Sequence, residues 1–286
     1  MILVSTTYRK EYKSDLLETL NEINLLDIDG IEIGSTHNFL SESKIKKILN
    51  NFNSKKLFIH NFFPPIKNDN FVINPGSLDN KVRSKSIDFI INSIDFSYDV
   101  GADLYTFHPG FLSPAVPNSD FKNKNFDFNF SKNLFPAQLV KDNFIRSLKK
   151  IVPYATKKKI KIAIETQGSF KKNKYLTMQL PNEFNEILRI FPNNLYINFN
   201  LAHSFFSSRI YKFSLINFIK KFKSKFYCVE ISHNNGKGDQ HMPLKDSSYV
   251  IYWLRHLKKI PKILEFRDSN IEDIKKSIQI VNKYEN

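Results

Sequence analysis

Short apolar runs rich in β-branched residues alternate with longer segments of helical period along the chain. Eight runs are predicted as strands: Ile2–Ser5, Gly30–Gly34, Leu57–His60, Leu104–His108, Ile160–Glu165, Leu195–Asn200, Phe226–Ser232 and Lys262–Phe266. Nearly continuous apolar character is typical of strands that are buried on both faces, as they are in a parallel sheet.

Between these runs, apolar residues recur at the spacing of one helical face. A helix is predicted to open at Ser14, and others cover Ser41–Asn50, Lys81–Val100, Phe144–Lys159, Asn182–Phe191, Ser214–Lys223, Ser247–Lys258 and Ile271–Tyr284. Pro153 is expected to kink or break its helix, because proline has no backbone N–H. Eight β–α alternations favour an α/β fold, a closed (β/α)8 TIM barrel forming one domain over residues 1–286, with an open doubly wound sheet as the alternative.

The longest irregular stretch is Gly110–Asn133, which follows the fourth predicted strand and is rich in Asn, Pro and Phe. Loops of this length inside a compact domain usually carry function or lack fixed structure. We therefore predict that residues 110–133 form a lid or a substrate loop.

Composition narrows the classes of partner only slightly. The net charge is +15, which favours anionic ligands, but the excess comes from Lys scattered along the chain. The single cysteine, Cys228, is predicted to be a core residue, and no disulfide can form within the chain. No signal peptide and no apolar run of about 20 residues is evident, so we expect a cytoplasmic protein without a membrane partner.

Polar residues that can bind metal cluster at the carboxyl ends of the predicted strands, where barrel enzymes place their active sites. They are His60, His108, Glu165, Asn200, His203, His233, Asp239, His241 and Glu265. Imidazole and carboxylate groups are ligands for zinc, manganese and iron. Burying Glu165 and Glu265 without a cation would be costly. The pattern predicts a divalent metal such as zinc or manganese.

Three other polar residues have two interpretations each. Glu32 lies in the second strand and either lines the pocket or takes part in ion pairing in the barrel core. His37 could touch substrate, although a surface position is expected. His256 is predicted to be solvated or to pack between helices. Phosphate-binding loops, dinucleotide fingerprints and nucleophile elbows are not found in the sequence.

These motifs, in this order, resemble the xylose-isomerase-like barrel superfamily, which includes endonuclease IV and sugar epimerases such as tagatose 3-epimerase. The resemblance extends from the segment Gly30–Gly34 to Glu265 and implies two alternative sites. In the sugar branch, one metal would be held by Glu165, Asn200, His233 and Glu265. The glutamate pair would be catalytic, and substrate, a sugar or sugar phosphate, would contact Glu32, His108 and His203.

The endonuclease IV branch, the AP endonuclease family 2, implies three zinc ions, nine ligands and a DNA substrate. Its His-Pro-Gly turn resembles His108-Pro109-Gly110, and its later Asp-x-His resembles Asp239-Gln240-His241. Asn200 stands where that family has aspartate, and the first strand lacks the Gly-x-His-Val-Ser pattern. The sugar branch is therefore favoured, with the zinc phosphodiesterase as the alternative. A degenerate site in a binding or scaffolding protein is a third interpretation, and the oligomeric state is open.

Overall fold

Eight parallel strands close into a barrel in the computed structural model, which describes residues 1–9, 14–52, 55–67, 71–117, 128–168, 172–235 and 238–285. The order around the barrel is β1, β2, β3, β4, β7, β8, β9 and β10, and β10 pairs with β1. These strands are β1 (Ile2–Ser5), β2 (Gly30–Ile33), β3 (Lys56–His60), β4 (Leu104–Phe107), β7 (Lys161–Glu165), β8 (Leu195–Asn200), β9 (Phe226–Ile231) and β10 (Lys262–Leu264). The closed barrel confirms the predicted fold.

Helices surround the barrel. They are α1 (Leu16–Asn24), α2 (Glu42–Leu49), α3 (Asn80–Asp99), α4 (Ala137–Lys157), α5 (Pro181–Ile190), α6 (Leu201–Tyr211), α7 (Leu215–Phe222), α8 (Val250–Leu254) and α9 (Ile271–Glu285). Among the helices of the described residues, none has both the length and the apolarity needed to cross a membrane.

Two predicted helices differ from the observed ones. The helix expected over Ser247–Lys258 is only α8, because the chain then tightens into turns with bonds such as Leu257 N–H to the Leu254 carbonyl at 2.9 Å. Pro153 does not break α4, which continues to Lys157. Both Pro153 and Lys149 are exposed, so the Lys149 carbonyl that loses its helical partner can bond to solvent.

The barrel interior has a dry lower layer and a polar upper layer. The lower layer is a buried cluster formed by Leu3, Phe58, Leu104, Ala163, Cys228 and Ile263. Side chains along a strand alternate between its two faces, so the residue two positions further on also points inward. That step leads to Ser5, His60, Thr106, Glu165, Glu230 and Glu265, all of which are buried. The alternation therefore sets a ring of polar groups on an apolar floor.

A β-bulge interrupts the pairing of β8 with β9. Ile197 pairs with Phe226 and Asn198 pairs with Cys228, so Tyr227 is an extra residue. Tyr227 and Cys228 both pack with the lower interior cluster, as expected where two consecutive residues share one side of a bulged strand. After the bulge, Asn200 lies beside Glu230.

Two short strands lie within the stretch predicted as a lid. Strands β5 (Ala115–Pro117) and β6 (Phe128–Phe130) form an antiparallel pair. Phe130 stacks on Tyr175 with the ring centroids 4.7 Å apart, which ties β6 to the loop after β7. Residues 118–127 lie outside the described part of the chain, and the role as a lid stays a prediction.

Candidate metal centre

The carboxyl ends of the strands bring together eight of the nine predicted metal ligands. Six of them form two histidine groups, and Asn200 and Glu265 lie between the groups, where Asn200 also contacts Glu165. The first histidine group is His60, His108 and Glu165, and the second is His203, Asp239 and His241. In each group, one possible ligand atom from every residue lies within 4.8 Å of the others.

The first histidine group joins the ends of β3, β4 and β7. Nε2 of His108 lies 2.7 Å from Oε2 of Glu165, and Nε2 of His60 lies 3.8 Å from the same oxygen. Nδ1 of His60 hydrogen-bonds to the Thr106 hydroxyl at 2.7 Å. That bond orients the ring so that Nε2 faces Glu165 and His108, which is the arrangement seen when a second contact holds a metal-binding histidine.

The second histidine group joins the start of α6 to the loop after β9. Oδ2 of Asp239 lies 2.9 Å from Nε2 of His241 and 3.3 Å from Nε2 of His203. Arg267 approaches the same oxygen at 4.0 Å. The Asp239 side chain is 33% exposed, so this group lies at the open mouth of the barrel.

The central set is formed by Glu165, Glu230 and Glu265, and one amide connects them. Nδ2 of Asn200 lies 2.8 Å from Oε2 of Glu230, 3.1 Å from Oε1 of Glu165 and 3.4 Å from Oε2 of Glu265. Oδ1 of Asn200 accepts the backbone N–H of His203 at 3.1 Å and so caps α6. The cap fixes which end of the amide faces the glutamates.

Sequence reasoning missed Glu230 and Asn198. Glu230 is 1% exposed, and its Oε1 accepts a bond from the Asn198 amide. Oδ1 of Asn198 in turn accepts the Cys228 thiol at 3.1 Å. Counting by twos along β9 from the core residue Cys228 would have found Glu230. The same step from Asn198 leads to Asn200.

His233, predicted as the ligand from the seventh barrel strand, lies apart from these groups. It exchanges two backbone hydrogen bonds of 2.7 Å with Met242, and its ring lies 5.7 Å from that of Tyr249. His233 is an odd number of residues after Glu230, so strand alternation does not direct it to the same face. Glu230 occupies the inward position of β9 in its place.

His37 is not a surface residue, contrary to expectation. It is 5% exposed, and its ring lies 2.8 Å from the Thr6 hydroxyl and 3.0 Å from the Ser14 hydroxyl. Burial lowers the pKa of His37 to about 4. The loop after β2 thus uses a neutral histidine to join two other segments. His256 is half-buried beside Trp253 and lies past the end of α8, not within a helix.

The pKa values of the three glutamates in the site are shifted in different directions. Burial opposes ionisation of Glu165, but His108 and His203 hold its pKa well below the usual range. His241 likewise outweighs burial and lowers the pKa of Glu265. Burial and repulsion from the neighbouring glutamates raise the pKa of Glu230 well above its usual value. Two glutamates therefore favour the ionised form, and Glu230 favours the protonated one.

Acidic neighbours raise the pKa values of both histidines in the second histidine group. Burial and Arg267 lower the pKa of His241, but Asp239 and Glu265 outweigh them and raise it to about 9. Burial also opposes the charge on His203, yet Asp239 raises its pKa well above the usual value. Without a cation, this group is held together by ion pairs.

Unpaired polar atoms indicate where a cation fits. Asp239 Oδ1 is buried and lacks a hydrogen-bond partner within the described ranges, and the contacts of Glu165 Oε2 with His108 Nε2 at 2.7 Å and of His241 Nδ1 with Glu265 Oε2 at 3.0 Å lack hydrogen-bond geometry. Such atoms are rare in folded proteins and often mark an ion or water site. Imidazole and carboxylate are suitable ligands for zinc or manganese, so the residues of both histidine groups fit a divalent ion.

Glu32 lies deeper than the histidine groups. It is fully buried, its two oxygens have no hydrogen-bond partner among the described residues, and Nδ1 of His60 lies 4.0 Å from Oε2. Burial, followed by repulsion from Glu265, raises the pKa of Glu32 well above its usual value. Glu32, His60 and Glu230 form a third buried group whose possible ligand atoms lie within 4.8 Å of one another, and the raised pKa values of both glutamates favour protonated carboxyls there.

Solved structures share this architecture over almost the whole chain. A D-tagatose 3-epimerase-like protein has a TM-score of 0.72 and 20% identity, covering 99% of this chain and 96% of that one. A D-allulose 3-epimerase of Methylomonas sp., in complex with D-allulose, has a TM-score of 0.67 and 13% identity, with coverage of 99% and 96%. At these identities the likeness shows the fold.

Sequence comparison gives the family. An uncharacterized protein of Methanocaldococcus jannaschii is 24% identical over 216 residues, covering 74% of this chain and 66% of that protein. The match spans just under two thirds of that relative's length. The xylose isomerase-like TIM barrel family matches residues 20–284. Since that match takes in seven of the eight barrel strands and the whole polar site, the chain belongs to the xylose isomerase-like TIM barrel family.

Proposed function

We propose that this protein is a divalent-metal-dependent isomerase or epimerase of sugars or sugar phosphates. The observation that carries the proposal is the placement of Glu165 and Glu265. Glu165 ends β7 and Glu265 directly follows β10. These strands are separated by two others, and both carboxylates approach the same nitrogen of Asn200, at 3.1 and 3.4 Å. Two carboxylates thus flank one point at the barrel mouth.

Paired carboxylates suit a reaction that moves a proton on carbon. One glutamate, in its ionised form, removes the proton from the carbon next to a carbonyl, and the other, carrying a proton taken from solvent, gives that proton to the opposite face or to a neighbouring carbon. The lowered pKa values of Glu165 and Glu265 favour the ionised form, so either residue can be the base, and the other must take up a solvent proton before the reaction. A bound divalent ion would polarise the substrate oxygens and acidify the adjacent C–H bond.

Histidines on both sides of this pair would bind and orient the sugar. His108 lies against Glu165 and is 26% exposed, so its ring is open to a ligand at the mouth. His203 contacts both Glu165 and Asp239. Imidazole groups at these positions can hydrogen-bond to hydroxyl or phosphate oxygens. The epimerase names of the structural neighbours, and the D-allulose in one of them, support a small sugar as the substrate class.

The test is an assay on a panel of ketoses and ketose phosphates in deuterated water, with zinc or manganese added to metal-depleted protein. We expect interconversion of at least one pair and deuterium at the carbon that changes. Turnover should require the added metal. Product formation without deuterium incorporation would contradict proton transfer by glutamates that exchange their protons with solvent, and no turnover across the panel would contradict the proposal.

A second candidate is phosphodiester hydrolysis, and the two histidine groups favour it. A single-metal sugar enzyme does not require His60, His108, His203, Asp239 and His241 as ligands, yet the structure gathers them. Cleavage of a duplex that contains an abasic site, falling steeply as salt is raised, would support this function. Absence of cleavage with zinc, manganese and magnesium would remove it.

A further inference from the structure

The centre of the site differs from the two histidine groups on either side of it. In the second histidine group Asp239 Oδ1 is buried and lacks a hydrogen-bond partner among the described residues, and in the first group two imidazole nitrogens converge on Glu165 Oε2 at 2.7 and 3.8 Å. At the centre, by contrast, both oxygens of Glu230 accept amide N–H groups, from Asn198 and from Asn200. The carboxylate from β9 is therefore satisfied without a cation.

Asn200 presents the wrong end of its amide for metal binding. Oδ1, the atom that could ligate a cation, accepts the His203 backbone N–H at 3.1 Å. Nδ2 points among the three glutamates and carries two hydrogens, so it repels a cation. Turning the amide over would place N–H against N–H at the start of α6. The residues at the centre do not fit a metal ion in this arrangement.

We propose that Asn200 closes the centre of the site to metal, so that the chain binds two divalent ions, one in each histidine group. The Asn200 amide then stands in place of a central ion and holds Glu165, Glu230 and Glu265 together by hydrogen bonds. Glu165 remains a ligand of the first group, whereas Glu265 belongs to neither group and is left without a metal bond.

This inference rests on the metal requirement of the proposed function but does not need the sugar reaction. The experiment counts ions per chain by native mass spectrometry and elemental analysis after saturation of metal-depleted protein with zinc, then with manganese. We expect two ions in the natural protein. His108→Gln and His241→Gln, one from each group, should each leave one ion.

The ion counts of two Asn200 variants are the decisive test. Asn200→Asp supplies an anionic oxygen, and Asn200→Ala removes the amide hydrogens and leaves three carboxylates around an open space. Both should raise the count to three. Asn198→Asp is the matched control, because it makes the same change on the same strand at a residue whose side chain, among the described residues, hydrogen-bonds to Glu230 and Cys228. Its count should stay at two, and circular dichroism shows whether each variant is folded.

Three ions in the natural protein would overturn the inference. So would a single ion that is lost in Glu265→Gln and kept in His241→Gln, or a lower count in Asn200→Ala, which would make Asn200 a ligand. The count is independent of turnover. Two ions in a protein that converts no sugar would contradict the proposed function and leave this inference standing.

Discussion

Nε2 of His108 lies 2.7 Å from Oε2 of Glu165, although the two residues come from adjacent strands more than fifty positions apart in sequence. This contact holds the Glu165 carboxylate in its ionised form and leaves the other edge of the His108 ring open to solvent. Glu165 thus belongs both to the first histidine group and to the glutamate pair. In the proposed reaction, catalysis and metal binding would meet at this residue.

We expect Glu165→Gln to lose turnover by at least about 10²–10⁴-fold, because an amide cannot accept the proton that a carboxylate accepts. The change is isosteric, so the thermal unfolding midpoint of the metal-depleted protein should shift little. Glu186→Gln is the control, since Glu186 pairs with Lys141 on the outer helices at 2.7 Å, away from the site. Natural activity in Glu165→Gln would refute the role of this residue.

A second prediction separates His233 from the metal ligands. His233→Gln should leave zinc affinity within about twofold of the natural protein, because the ring lies outside both histidine groups. His203→Gln should weaken zinc binding at least about tenfold, as loss of a metal-site residue commonly does. Isothermal titration of the two variants side by side measures the difference. Equal losses of affinity would return His233 to the ligand set.

Glu32 gives a prediction on stability. Because the pKa of Glu32 in the folded protein is raised well above the ordinary 4.5, its contribution to the unfolding free energy is fully present below pH 4.5 and is lost as the pH rises. Glutamine has no such proton to lose. We expect the unfolding free energy of Glu32→Gln, relative to that of the natural protein, to increase with pH. The increase should be up to about 1.4 kcal/mol per pH unit until the pKa of Glu32 in the folded protein is reached. Urea unfolding of metal-depleted protein at pH 5 and pH 8 measures the gain. A constant difference would contradict the raised pKa.

The buried His37 gives the opposite pH dependence. Its pKa falls from 6.5 to about 4 on folding, so its contribution is present above pH 6.5 and is lost as the pH falls toward 4. Over that window it should remove up to about 1.4 kcal/mol of unfolding free energy per pH unit. His37→Gln cannot titrate and should flatten this part of the acid-unfolding curve. An unchanged slope would show that other groups dominate acid unfolding.

Much of the fold and most of the site could be predicted from the sequence because both follow from alternation. Buried strands read as apolar runs, and their carboxyl ends meet at one rim, so His60, His108, Glu165 and Glu265 could be placed together before the structure. Helix ends were less predictable. α8 is shorter than its apolar spacing indicates because turn bonds compete with helical ones beyond Leu254.

The remaining site residues depend on contacts that no local pattern contains. Glu230 lies in a strand of apolar and aromatic residues, and an acidic residue there is explained only by its bonds to Asn198 and Asn200 on β8. His37 follows a strand in a polar loop, which favours an exposed position. Its burial depends on Thr6 and Ser14, which are distant in sequence.

The bulge in β9 decides which of that strand's side chains face the barrel interior. In an unbroken strand that starts with Phe226 against the helices, Tyr227 and Val229 would look into the barrel and Glu230 would turn out among apolar helix faces. The bulge at Tyr227 reverses that phase midway along the strand. Deleting Tyr227 would give a regular strand in which Phe226 still faces the helices and Glu230 still faces the barrel. The bulge therefore lets β9 hold one more residue without turning Glu230 away from the pocket.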